Sequence, residues 1–148
     1  RTPGGGVDLP PTFFSLAGLE PPWTMHGHDL TPLLMNPGTD WPHTTMMPFT
    51  ADKFGADCDT VPVPPGNRHK SGVPWYVMIV QGRYKYIRTL EVGEPEELYD
   101  LLADPEELTN VASNPEHAAP VKELRAAALA ELRRTGAKLV DSLPPVQE

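Results

Sequence analysis

The sequence predicts an α+β fold: a small antiparallel sheet packed against a C-terminal helix, preceded by a proline-rich stretch. Three observations carry that expectation. Two β-rich runs flank a glycine-containing turn at residues 73–88. Apolar side chains recur at helical spacing at Val121, Leu124, Ala128 and Leu132. Most of the 19 prolines fall between Pro3 and Pro74 in a chain of 148 residues. Proline fixes φ and removes a donor, so regular helices and central strands are scarce in that half.

In chain order, residues 1–34 open with a Gly/Pro-rich connector starting at Arg1. With no Met at the start and no apolar stretch behind it, no signal peptide is legible there, and sequence upstream is expected. Leu9-Pro-Pro-Thr-Phe-Phe-Ser-Leu-Ala-Gly18 reads as a short helix, with prolines at its entrance and Gly18 free to take the left-handed conformation at its exit. Phe13, Phe14 and Leu16 make it apolar nearly all round, so it needs cover that the rest of the chain does not supply.

Residues 35–72 read as an irregular, ordered loop region carrying Trp41 and Phe54. Residues 73–148 read as a regular unit. It comprises strands at 73–80 and 83–88, a third at 97–101, and a helix start at Asp104-Pro-Glu-Glu107, where Asp and Glu hold the capping-box positions. Asn114-Pro-Glu repeats the device, and the last helix runs to about Thr135, with Gly136 as its stop.

Composition excludes some functions. A formal charge of −8 without a clustered basic run argues against nucleic acid. No stretch approaches the roughly 18 apolar residues of a membrane span. Cys58, the sole cysteine, allows neither an internal disulfide nor a cysteine zinc cage.

Four passages resemble the sulfatase family, in the family's order. Val7-Asp-Leu-Pro-Pro-Thr-Phe-Phe-Ser-Leu-Ala-Gly-Leu19 is similar to its "vDl-x-PTll-x-laGl" helix, and His26-Gly-His-Asp-Leu-Thr-Pro-Leu-Leu34 to the "G-x-sl-x-pLL" stretch after it. Gly82-Arg-Tyr-Lys-Tyr-Ile87 resembles the "ryKYI" strand. Leu98-Tyr-Asp-Leu101, Asp104, Pro105, Glu107 and Asn110-Val-Ala112 resemble the "LYDL-x-x-DP-x-E-x-x-NLA" passage that closes the C-terminal sub-domain.

The resemblance implies the C-terminal portion of a formylglycine-dependent sulfatase of the alkaline-phosphatase superfamily. Residues 1–34 would be the tail end of the large α/β domain. Residues 73–148 would be the sub-domain of about four antiparallel strands and a helix. It further implies a sulfate-ester substrate, sulfated carbohydrate among the choices, and a partner in the missing N-terminal domain. Calcium and a formylglycine, made from Cys or Ser in C/S-x-P-x-R, would be held upstream. Cys58 is followed by Asp59-Thr-Val-Pro62, which puts proline at the wrong spacing and leaves no arginine, so no catalytic residue carries over and the chain alone is expected to be inactive. A related phosphodiesterase or phosphonate monoester hydrolase is the alternative. A stand-alone binding module is the rival of another class, and its apolar helix would leave that face wet.

Among side chains, Arg68, His69 and Lys70 are the candidate substrate contacts: three potential cations at a loop end, suited to an anionic ester. Asp57, Cys58 and Asp59, or His26 and His28, could recruit a metal, but each group lacks a further ligand in sequence and reads as ordinary loop. Asp104, Glu107 and Asn110 read as structural, and Trp75, Tyr84 and Tyr86 as sheet packing.

Overall fold

The computed structural model describes residues 4–146, so the start of the expected connector at 1–3 lies outside the described residues. Helix α1 spans Leu9–Ala17 and α2 spans Thr31–Met35. Strands β1 (Thr45–Phe49), β2 (Tyr76–Gln81), β3 (Tyr84–Thr89) and β4 (Glu97–Asp100) form one antiparallel sheet in the order β1-β2-β3-β4. Helix α3 spans Ala118–Arg134 and packs on β2 and β3.

The core lies between one sheet face and α3. Ile79, Tyr86 and Leu98 stand in register across β2, β3 and β4, and all are fully buried against the Val121, Leu124, Ala128 and Leu132 stripe. The turn joining β2 to β3 uses Gly82 at φ 57°, a left-handed conformation that glycine adopts without a Cβ penalty. Helix α3 begins as expected: Asn114 Oδ1 accepts from the Glu116 N–H at 3.0 Å, and Pro115 follows at the first position of a 3-10 turn leading into the helix. It ends at Gly136, φ 72°.

Two expectations fail here. Residues 35–72 are not wholly irregular, because β1 lies within them and pairs with β2 from Thr45↔Val80 to Phe49↔Tyr76. Pro48 hid it in the sequence, yet β1 is an edge strand, where a missing donor costs least. Nor do residues 104–107 start a helix. Glu107 takes φ 58°, and Asp104 Oδ2 accepts from the Thr109 N–H at 2.8 Å, closing a turn. Leu102 and Leu108 are both exposed, so a helix there would have no buried face to stabilise it. Instead the chain doubles back along β4. The Val111 N–H donates to Leu98 O, while Asn110 accepts from the Leu98 N–H at 3.0 Å and donates to Glu96 O at 3.1 Å. Asn110 thus caps a sheet edge.

Helix α1 forms as read, ending at Gly18 with φ 65°. Its apolar side is bare: Phe13 is 62% exposed and Trp23 beside it 64%. Among the described residues no helix is long and apolar enough to cross a membrane.

Candidate functional site

The loop bearing Arg68, His69 and Lys70 is anchored from below by Asn67, which is fully buried. Asn67 donates through Nδ2 to Leu90 O at 2.9 Å and accepts from the Trp75 N–H at 2.7 Å, fixing the loop to the ends of β2 and β3. Bonds from the His69 N–H to Val73 O and from the Gly72 N–H to His69 O, both 2.8 Å, close the tip.

On this frame the three cations part company. Arg68 donates to Glu91 at 2.5 Å and lies 3.5 Å from Glu94, with Nη1 donating to Gly72 O at 3.0 Å. Its charge is largely matched at home. His69 Nδ1 lies 2.8 Å from Ser71 Oγ, and its ring stands edge-on to Phe49 with centroids 6.3 Å apart. Lys70 is exposed at the tip. The loop therefore presents His69 and Lys70 outward, while Arg68 is held sideways by acids that sequence spacing did not reveal.

The upstream motifs form a second constellation. Asp8, nearly buried, accepts from the Gly5 N–H and from the His28 N–H, each at 2.7 Å. Thr12, also buried, donates to Asp8 O at 2.6 Å and accepts from the Leu30 N–H at 2.9 Å. These residues pin the 26–30 segment to α1. Gly27 makes the approach possible: a Cβ there would lie 1.9 Å from Val7 O.

Beside it, the His28 and His43 rings stack with centroids 4.0 Å apart and Trp41 packs edge-on against His43 at 4.5 Å. Burial, then the neighbouring His43 and Arg134, lower the His28 pKa below its ordinary value. His26, with His28, Glu131 and Arg134, borders a cavity of about 200 Å³. Nothing in the sequence brought these positions together beyond the motif that Asp8 and Thr12 belong to.

The carboxylates elsewhere are partnered. Glu96 accepts from Tyr86 Oη and from both Nε and Nη2 of Arg125; Asp100 pairs with Arg83, and Lys85 with Glu107. Asp59 pairs with Lys138 at 2.6 Å, and Cys58 is half-buried against the core. Among the described residues no three His, Cys, Asp or Glu side chains converge as a metal site would require. With Cys58 outside the nucleophile pattern as well, the donor set of the described residues fits neither calcium nor formylglycine.

No family model matches the sequence, and no curated protein does. Solved structures do match. A 2-O GAG sulfatase, BT1596, aligns at 26% identity and TM-score 0.67 over 95% of this chain and 27% of its own. BT4656, solved in complex with its substrate D-glucosamine-2-N,6-O-disulfate, aligns at 26% identity and TM-score 0.63 over 86% of this chain and 23% of its own. This chain has the fold of the C-terminal portion of a sulfatase. A phosphonate monoester hydrolase of Agrobacterium radiobacter shares that sulfatase-type portion at 28% identity and TM-score 0.59, over 86% of this chain and 24% of its own. The chain thus spans about a quarter of the length of the structures it matches.

Proposed function

We propose that this chain is the C-terminal part of a sulfuric-ester hydrolase acting on sulfated carbohydrate. It completes the fold and lines one wall of the cleft, while nucleophile and metal are supplied upstream. The observation that carries this reading is the bare apolar side of α1, with Phe13, Leu16 and Trp23 all more than half exposed. A self-sufficient module would bury such a helix, whereas the edge of a larger α/β domain would leave it for neighbouring segments to cover. On this reading residues 1–34 belong to that edge, and the unit from residue 73 onward is the sub-domain. The named substrates of the sulfatase neighbours supply the carbohydrate class. The similarity to a phosphonate monoester hydrolase supports a second reading, with a phosphonate ester as substrate.

Within the cleft wall, Arg68, His69 and Lys70 are the proposed substrate-facing group. Lys70 carries the charge toward the ester, His69 adds a hydrogen-bonding ring beside it, and Arg68 holds the loop through Glu91 and Glu94.

The test is turnover by the full-length polypeptide of an activated aryl sulfate against a phosphonate monoester. A higher kcat/KM for the sulfate is expected; the reverse order favours the second reading, and turnover by residues 1–148 alone would sink both. Lys70→Ala and His69→Ala should then raise KM with little change in kcat, because a side chain touching ground and transition state equally contributes uniform binding. A lost charge-assisted contact of about 1.5–3 kcal/mol corresponds to roughly a ten- to hundred-fold fall in kcat/KM. Wild-type KM in both variants would leave the loop as solvated surface.

A further inference from the structure

Three histidines outside the proposed substrate loop gather where the segment before β1 reaches the end of α3. The His28 and His43 rings lie face to face, 4.0 Å between centroids and 22° from parallel, and Trp41 stands edge-on to both. Arg134, in the last turn of α3, donates to His26 O at 2.6 Å and is held by Glu131 at 2.6 Å. Asp8 accepts from the His28 N–H at 2.7 Å, and Asp29 accepts from the Thr31 N–H at 2.8 Å. The charges acting on the stack are thus Arg134 against Asp8 and Glu131, with His26 at the edge of the same cavity. Both carboxylates are already engaged, Asp8 by the Gly5 and His28 N–H groups and Glu131 by Arg134. Two neutral imidazoles can stack in this way. Two imidazoliums at that spacing repel, because half-buried rings have lost part of the water that would screen them.

We infer that the His28–His43 stack is an acid-released latch joining the segment at 26–44 to the C-terminal end of α3, closed while both rings are neutral and opened as they take up protons. It stands apart from the question of which ester the complete protein hydrolyses. Burial, then His43 and Arg134, hold the His28 pKa below its ordinary value, against the opposite pull of Asp8 and Glu131. A histidine of that kind leaves the closed form fully favoured above the ordinary pKa of 6.5, and stability is lost as pH falls from there toward the folded value. Once His26, His28 and His43 are all charged, cations outnumber the carboxylates beside them. The cavity of about 200 Å³ bordered by His26, His28, Glu131 and Arg134 gives the released rings water to enter. The bonds given up are the His28 N–H to Asp8 and Arg134 to His26 O, so release uncouples the first part of the chain from α3. The sheet core stays in place, since its buried cluster holds no histidine among the described residues.

Amide hydrogen exchange of the full-length polypeptide reads the latch at the His28 N–H bonded to Asp8 and the Leu30 N–H bonded to Thr12, each normalised to its intrinsic rate at every pH. Their protection should fall about five-fold or more from pH about 7.5 to pH about 5, while the Ile79 and Tyr86 amides keep theirs. His28→Gln should flatten this dependence. His43→Phe, which leaves an aromatic ring on His28 without a second titrating group, should weaken it. Protection that is independent of pH in the wild type overturns the proposal, and so does low protection at every pH. A parallel fall at Ile79 and Tyr86 also overturns it, since the whole unit would then be loosening. An undiminished fall in the variants overturns it as well, because other groups would be titrating; should one variant not fold, the other carries that comparison. The readout involves no turnover. A latch that opens in acid in a protein that hydrolyses neither ester sinks the functional reading and leaves this one standing.

Discussion

Glu96 ties three elements together at one carboxylate. It stands just before β4 and receives bonds from Tyr86 on β3 and Arg125 on α3, with its side chain only 9% exposed. Burial pushes its pKa up, but the bonds from Arg125 and Tyr86 outweigh that and hold it below the ordinary 4.5. Burial, then the bond to Glu96, pushes the Tyr86 hydroxyl pKa up strongly. A carboxylate with a lowered folded pKa adds stability above its unfolded pKa and loses it as pH falls through the folded value. Glu96→Gln should therefore cost about 1.5–3 kcal/mol near neutrality, and the gap to wild type should narrow below pH about 4. Urea midpoints at pH 7 and pH 3 check this; a constant gap would mean that shape, not charge, does the holding. The sequence disclosed only half of this site. Tyr86 is legible as a packed strand residue from its alternation, but nothing local marks Arg125 as the partner of a carboxylate 29 positions away.

At the level of elements, legibility followed how local the cause was. The β2–β3 turn, the Asn114 start of α3 and the Gly18 exit of α1 were readable because each depends on a few adjacent residues. Strand β1 was not, since its reason to exist is β2, about thirty residues later. The 104–107 turn misled because the right capping residues were present without an apolar face to bury. The 26–30 segment is a packing device of the same non-local kind and gives a sharp test. Gly27→Ala would place a methyl within 1.9 Å of Val7 O and 2.9 Å of the Asp8 Cα, both backbone atoms that cannot swing aside. It should cost about 1–3 kcal/mol of local stability by overpacking and break the His28-to-Asp8 bond. Gly38→Ala, whose Cβ would meet nothing nearer than Asn36 Oδ1 at 3.5 Å, is the control. Limited proteolysis should cut within 19–30 faster in the first variant and at the wild-type rate in the second.

Across the whole molecule, stability is divided unevenly, and the division follows the contacts. The sheet and α3 share one buried cluster that includes Trp75, Leu90 and Leu139. Helix α1 packs mainly on its 3-10 lead-in (Gly6–Asp8), α2 and Trp23, and a bond of 2.6 Å from Arg134 to His26 O helps to link the two regions. Arg134 is itself held by Glu131 at 2.6 Å, three residues earlier on α3. Opening free energy scales with buried apolar contact, so the two parts should open independently when this chain is alone. Amide hydrogen exchange on residues 1–148 should show the slowest protons in β2, β3 and the Val121–Leu132 stretch of α3. Those of α1 and α2 should exchange orders of magnitude sooner. In the full-length polypeptide, with the Phe13 and Trp23 side covered, the α1 amides should slow toward the sheet's rates while the core protons barely change. Equal protection of α1 and β2 in the short chain would mean that the first 34 residues are an integral layer of this unit, and that the bare helix is part of no other domain.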